Sequence, residues 1–391
     1  MAPQKKKPLA VYIHLPFCAK KCLYCDFASG PADAQEIAYY MRVLQKEIRS
    51  FSAIATLYRV ESVFFGGGTP SFVAPVYVEQ LMNLLRSQFE FSDRAEITLE
   101  ANPGTLTEEK LKIYRIAGIN RLSIGLQSVH DEELKTLGRI HTYADFLESY
   151  DLARKAGFEN VNIDLMSALP RQTMALWQDS LAKTAALQPE HISAYSLSIE
   201  EGTPFYEKYG EGLGRLALPG EELDREMYHY TKSFLAEKGY ARYEISNYAR
   251  PGFESRHNLT YWTMGEYLGF GQAAASFLEG RRFTNPSTAE EYWQAARTSY
   301  QRFRAQKPET VREQMEEYMF LGLRTARGVS REDFKKRFGM SFPRVYEHTL
   351  LDLYKQGLLT QEGGRIFLTD EGIDVSNIVL AQFLLDERTS L

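Results

Sequence analysis

Cysteine is scarce in this 391-residue chain: there are three, all between Cys18 and Cys25. A disulfide framework needs pairs spread along a secreted sequence, so the clustering points instead to a metal or redox centre in a reducing compartment. Excess positive charge is lacking too. With 46 Lys and Arg against 51 Asp and Glu, the formal net charge is -5 and the pI about 5.9, which provides no overall basic field to hold nucleic acid. Nor is there a long hydrophobic run. The amino end carries Lys5, Lys6 and Lys7, but the apolar stretch behind it is short and is broken by His14 and Pro16, unlike a signal peptide or a membrane span. Internal repeats and low-complexity tracts are absent. The expectation is a cytoplasmic protein with no membrane span and no nucleic-acid partner, with peripheral membrane association and a homodimer left open.

What is present is ordinary globular sequence, 44% hydrophobic and 25% charged, enough for one large domain and a smaller one. Short β-branched and aromatic runs at Leu9 to Ile13, Val60 to Phe65, Glu96 to Leu99, Arg121 to Gly125, Asn160 to Leu165 and His191 to Leu197 read as strands. Between them, Ala34 to Phe51, Val76 to Phe89, Thr107 to Ile116, Tyr143 to Ala156 and Met174 to Leu187 carry apolar residues at helical spacing. Alternation of this kind implies an α/β fold with a parallel sheet and right-handed crossovers. Six units fall short of the eight in a closed barrel, so a partial (β/α)6 barrel is predicted over residues 1–218. Past Leu218 the alternation decays into a helix from Glu221 to Glu237, a mixed stretch and a helix from Ala289 to Phe303, read as an extension over 219–306. The last part, 307–391, has two or three helices and the run "GLLTQEGGRIFLTDEG", which resembles a small winged-helix-like α+β domain. Its basic residues Arg331, Lys335, Lys336 and Arg337 sit near Glu332 and Asp333, as on a solvated helix face.

Cys18, Cys22 and Cys25 form CxxxCxxC directly after the first strand. A loop this tight can aim three thiolates at one face of an iron-sulfur cube, leaving one iron open to chelate the amino and carboxylate groups of a methionine moiety. The alternative is zinc completed by a histidine such as His14, although zinc sites favour CxxC pairs. "CAKKCLYCDF", with Tyr24 beside the last cysteine, resembles the radical S-adenosylmethionine signature. That resemblance implies a 4Fe-4S cluster which, when reduced, passes an electron to the sulfonium and releases a 5'-deoxyadenosyl radical.

The second strand ends in "FFGGGTPS", Phe64 to Ser71, where three glycines let a ligand approach the backbone. Taken alone, this is equally a strand-to-helix turn opened by Pro70. The cysteine loop, Gly66 to Gly68, Glu100, Gln127 and Asp164 all fall at or near carboxyl ends of strands, where barrels bind ligands. For Glu100 and Asp164, helix capping or a surface ion pair is the simpler alternative. The whole chain from Tyr12 onward is similar to the oxygen-independent coproporphyrinogen III dehydrogenase branch of the superfamily. The resemblance places Tyr12, Gly67, Gly68, Thr69, Glu100, Gln127, Arg139 and Asp164 around S-adenosylmethionine. It implies the glycine-loop carbonyls and Glu100 on the ammonium, Arg139 on the carboxylate, and Gln127 and Asp164 on the ribose, with further contacts near Ser198 and Ala275.

Two functions of different class share that branch: oxidative decarboxylation of coproporphyrinogen III, and a haem chaperone that passes haem to an acceptor protein. Against the dehydrogenase, Phe27 stands where its motif has a fourth cysteine, and only Met1 to Pro8 precede the first strand. "RHNLTYW" favours the chaperone, because His257, Asn258, Tyr261 and Trp262 match the HNxxYW motif of that group. An imidazole suits axial haem iron, and Tyr261 and Trp262 suit a porphyrin face. The plain alternative is a histidine hydrogen-bonded within a loop and two aromatic core anchors. Nearby "YLGFGQAAASF" departs from the family pattern at Gln272 and Ala275, where a proline and a histidine are common.

Overall fold

The computed structural model describes residues 6–385; the first five and last six residues of the outer regions predicted above lie outside the described residues. The first half runs β1 (Lys7–Leu15), α1 (Ala34–Ser50), β2 (Tyr58–Gly67), α2 (Pro75–Gln88), β3 (Glu90–Ala101), α3 (Glu108–Ala117), β4 (Arg121–Gln127), α4 (Asp131–Leu137), α5 (Tyr143–Lys155), β5 (Val161–Ser167), α6 (Met174–Ala186) and β6 (His191–Ser196). Strands β1 to β6 lie side by side in sequence order, all parallel. This is the (β/α)6 partial barrel, with each crossover helix laying an apolar stripe on the sheet. Helix α1 shows why. Asp33 and Glu36 close a capping box at its start, worth about 1 kcal/mol. Ile37, Met41, Leu44 and Ile48, spaced three to four apart, are buried against the strands, each contributing roughly 1.5 to 3 kcal/mol.

Beyond β6 come α7 (Glu221–Glu237), β7 (Ala241–Arg242), β8 (Asn247–Ala249), α8 (Arg256–Trp262), β9 (Tyr267–Phe270), β10 (Ala275–Leu278), β11 (Arg281–Thr284), α9 (Ala289–Ala295) and α10 (Ser299–Arg304). These strands extend the barrel sheet at both edges: β9 pairs parallel with β1, followed by β10 and β11, while β8 and β7 pair beyond β6. Buried Glu47 on α1 ties one of these additions down. It accepts from the Gly271 N–H at 2.8 Å, Asn285 Nδ2 at 2.7 Å and the Tyr292 hydroxyl at 2.7 Å, and burial pushes its pKa up to about 7. The helix expected over Ala289 to Phe303 is interrupted at 296–298, where the Thr298 hydroxyl turns back to the Ala295 carbonyl at 3.1 Å, a local bond that competes with helix continuation.

The rest of the described chain is a separate unit with its own core of Met315, Met319, Phe334, Leu350 and Leu353. It comprises α11 (Val311–Gly322), β12 (Val329–Ser330), α12 (Arg331–Phe338), α13 (Phe342–Lys355), β13 (Leu359–Glu362), β14 (Arg365–Leu368), α14 (Asp370–Asp374) and α15 (Ser376–Ala381). Helices followed by a three-stranded antiparallel sheet, ordered β12-β14-β13, make it a small winged-helix-like α+β domain.

Candidate cofactor site

At the carboxyl ends of the parallel strands lies a cavity of about 330 Å3 whose lining includes Cys18, Cys22 and Cys25. All three thiols are free. Their loop is held from both sides by backbone bonds. Cys18 N–H donates to the Gly30 carbonyl at 3.0 Å and Gly30 N–H to Pro16 at 2.9 Å, while Leu23 N–H donates to Leu137 at 3.0 Å and its carbonyl accepts from Phe205 at 3.0 Å. Two donors point at sulfur: Thr69 Oγ1 lies 3.6 Å from Cys18 Sγ, and Arg139 Nη1 lies 3.6 Å from Cys22 Sγ. Among the described residues no three His, Cys, Asp or Glu side chains converge on one metal ion. The thiols are arranged around the cavity, and a cubane takes each thiolate on a different iron. His14, the residue considered for a zinc site, is buried with Nδ1 bonded to the Tyr12 hydroxyl at 3.0 Å and Nε2 to the Ala28 carbonyl at 3.1 Å.

The glycine loop forms the next wall. Gly68 N–H donates to Leu15 at 2.9 Å and Thr69 N–H to Phe17 at 2.8 Å, so the loop leans on the start of the cysteine loop. A Cβ on Gly68 would stand 2.7 Å from the Phe17 carbonyl oxygen and 2.9 Å from Cys18 Sγ, and Gly67 has φ 113° with His14 in the way of any side chain. Only glycine fits at either position.

Glu100 and Asp164 face this space together. Glu100 Oε2 accepts from the Gly67 N–H at 3.2 Å; Asp164 accepts from Asn162 Nδ2 at 2.7 Å and the Ser123 hydroxyl at 3.2 Å. Burial, reinforced by the Asp164 charge, pushes Glu100 up to about 8. Burial likewise raises Asp164, against the pull of its hydrogen bonds. Two buried carboxyls, both with raised pKa, facing one cavity make an environment that a cationic ligand would relieve. Arg139 is anchored by Nη2 to Asn102 Oδ1 at 2.7 Å and to the Gly125 carbonyl at 2.6 Å. Gln127, beside a bulge in the β4–β5 pairing, has φ 70°, a strained backbone of the kind retained at ligand sites.

Of the eight residues expected around S-adenosylmethionine, Gly67, Gly68, Thr69, Glu100, Gln127, Arg139 and Asp164 line this cavity. Tyr12 stands behind it, stacked on Phe64 with centroids 6.3 Å apart. Ser198 and Ala275 are not among the lining residues. Asn102 was overlooked: it donates to Thr69 Oγ1 at 2.7 Å while accepting from Arg139, so one amide orients two walls. Its signal was its place two residues after Glu100 at the same strand end.

The motif "HNLTYW" occupies α8, which packs against β2 and β3. Ser255 caps the helix, and Glu96 accepts from the N–H groups of Arg256 and His257, both at 3.1 Å. His257 is 1% exposed, with Nδ1 bonded to the Ser62 hydroxyl at 3.0 Å, Nε2 to the Tyr261 hydroxyl at 2.7 Å and its ring stacked on Phe64. Burial, then the Arg121 charge, pushes its pKa down to about 3. As folded, neither nitrogen is open to iron; the imidazole anchors the helix. Trp262, on the other face, lines a second cavity, and Asn258 is half-buried, its N–H bonded to Ser255 Oγ at 3.3 Å.

A family model described as "Radical SAM superfamily" matches residues 12–183, and one described as "HemN C-terminal domain" matches 310–375. The heme chaperone HemW of Lactococcus lactis is 38% identical over 382 residues, covering 98% of this chain and 99% of that protein. The heme chaperone HemW of Bacillus subtilis is 38% identical over 376 residues, 96% of this chain and 99% of that one. Among solved structures, the coproporphyrinogen III oxidase HemN from Escherichia coli superposes with a TM-score of 0.83 at 24% identity, over 98% of this chain and 91% of that one. That likeness shows the fold.

Proposed function

The chain belongs to the HemW family of the radical SAM superfamily, and from that premise we propose that it is a haem chaperone, binding haem and delivering it to an acceptor protein. The observation that carries the cofactor half of this reading is the meeting of three free thiols, a glycine loop and a Glu100–Asp164 pair in one cavity. Cys18, Cys22 and Cys25 would hold a 4Fe-4S cluster, and the donor set fits it: thiols free of disulfides, donors aimed at two sulfurs, and a floor at Gly68 kept clear of side chains. Gly67, Gly68, Thr69, Glu100, Gln127, Arg139 and Asp164 would hold S-adenosylmethionine, with Tyr12 supporting Glu100 from behind. With its cofactors bound, the cluster supplies one-electron chemistry at a sulfonium.

In this proposal Glu100 gives up a proton to receive the ligand's ammonium, Asp164 takes ribose hydroxyls, and Arg139 directs N–H groups at a carboxylate. His257 and Tyr261 serve the haem motif by fixing α8, so that Trp262 and Asn258 are presented on its outer side. We place the protein in the cytoplasm; among the described residues no helix is long and apolar enough to cross a membrane. The test uses one anaerobically reconstituted sample with two assays. Haem titration should give saturable binding, and incubation with coproporphyrinogen III, S-adenosylmethionine and a reductant should give no product. Protoporphyrinogen formed over many turnovers would overturn the chaperone reading.

A further inference from the structure

The second cavity, of about 550 Å3, lies between the outer face of α8 and the small domain. Its apolar wall is Leu259 and Trp262 from α8, with Val329 opposite. Its polar wall is cationic: Arg327 from the loop after α11, Lys336 and Arg337 from α12, and Arg365 from β14, against the single carboxylate of Asp333. This concentration occurs in a chain of net charge -5. Like charges from three separate elements repel unless something anionic sits among them. Arg365 is braced by the Arg327 and Gly328 carbonyls at 2.6 and 3.0 Å, and Arg337 by the Met264 carbonyl at 3.3 Å. Lys336 and the Arg327 guanidinium take no protein partner among the described residues. On α12 alone, such residues read as a solvated helix face. Their convergence with Arg327 and Arg365 around a tryptophan-walled cavity distinguishes them.

A ligand complementary to this space has a flat apolar body and at least two carboxylates. We propose that the cavity binds the porphyrin of haem, with Trp262 and Leu259 against the ring and Arg327, Lys336, Arg337 and Arg365 taking the propionates. This deepens the haem-chaperone reading and rests on it. None of the lining residues is His, Cys or Met, and Tyr318 commits its hydroxyl to Ser330. The cavity therefore recognises carboxylates and an aromatic face without ligating iron. Open to solvent and built without a metal bond, it suits cargo that must leave again.

The test is titration of the full-length protein, by tryptophan quenching and Soret absorbance, with haem, iron-free protoporphyrin and the protoporphyrin dimethyl ester. Haem and protoporphyrin should bind with similar affinity. The ester should bind about tenfold or more weaker, as loss of a charge-assisted bond implies. Arg327→Glu/Lys336→Glu, two exposed positions, should weaken both acids by at least the same factor, and Trp262→Ala should weaken all three ligands. Melting temperature and S-adenosylmethionine binding should stay at wild-type values in the double variant. Haem binding that is indifferent to the double variant and to esterification would overturn this site while leaving the chaperone reading intact. A wild-type protein that binds neither haem nor protoporphyrin would overturn both.

Discussion

The two cavities, one at the carboxyl ends of the parallel strands and one between α8 and the small domain, are built in opposite ways. Around the thiols nearly every polar group is committed: Asn102 spans Thr69 and Arg139, Gly67 bonds Glu100, and Asn162 and Ser123 hold Asp164. Between α8 and the small domain, cations project with few partners and the walls come from two separate parts of the chain. Pre-organisation lowers the cost of holding a resident group in one geometry; loosely held charge suits a ligand that enters and departs. One chain thus holds a tightly braced cavity at its strand ends and a loosely braced cationic one beside α8.

The largest loss is expected at the cysteines. Replacing Cys18, Cys22 or Cys25 by alanine should abolish cluster assembly, read as iron and sulfide falling from about four of each per chain to near zero. Stoichiometric zinc with no visible absorption in reconstituted wild type would remove the cluster altogether. A smaller effect is expected at the acid pair. Glu100→Gln should weaken S-adenosylmethionine binding by roughly 1.5 to 3 kcal/mol in calorimetry while leaving iron content unchanged. Because Glu100 sits near 8, it is mostly protonated at pH 6 and must release a proton to take a cation. Wild-type affinity should therefore climb with pH between 6 and 7.5, by up to about tenfold per unit, and the Gln variant should lose that slope.

On α8 His257 is held neutral, its folded pKa near 3 against an ordinary 6.5. Above pH 6.5 both folded and unfolded forms are neutral and its contribution is complete. Below that only the unfolded chain takes the proton, so stability is lost as pH falls from 6.5 toward 3. His257→Phe should flatten the fall by up to about 1.4 kcal/mol per pH unit, measured by denaturant unfolding across pH 6 to 4; an unchanged slope would mean the imidazole is not buried neutral. The smallest effect is at Gln127. Gln127→Gly relieves a left-handed backbone costing about 1 to 2 kcal/mol but adds up to about 1 kcal/mol of unfolded-state entropy. The variant should unfold within about 1 kcal/mol of wild type, on the stable side, with weaker ligand binding.

Six strands and most crossover helices were legible because their apolar periodicity is long enough to stand without context. Helix α4 was not: Asp131–Leu137 is seven residues, and only Glu133, Leu134 and Leu137 are buried, too short a pattern to register. Nor could the sequence reveal that β7 to β11, two to four residues each, border the barrel sheet, since such strands take their identity from the neighbour they pair with. At the site, glycines, cysteines and charged strand ends announced themselves. Asn102, Ser123 and Asn162 did not, because a short polar side chain looks like any turn residue until its partners are known. His257 was legible as a motif but not in its direction. Which face of a seven-residue helix turns inward is decided by Ser62 and Glu96, more than 150 positions away in the chain.

The pairing of β1 with β9 also bears on how the protein is made. Lys7–Leu15 leaves the ribosome before the other strands of its sheet, yet the strand that covers its outer edge, Tyr267–Phe270, follows about 250 residues later, on the order of 10 to 50 s at ordinary rates of synthesis. Throughout that interval a nascent barrel presents one bare row of backbone donors and acceptors beside Val11 and Ile13, an invitation to pair with a neighbouring chain. Yield in a cell is thus set partly by what shields the half-made product, and any chain cut short before Tyr267 keeps that edge open for good.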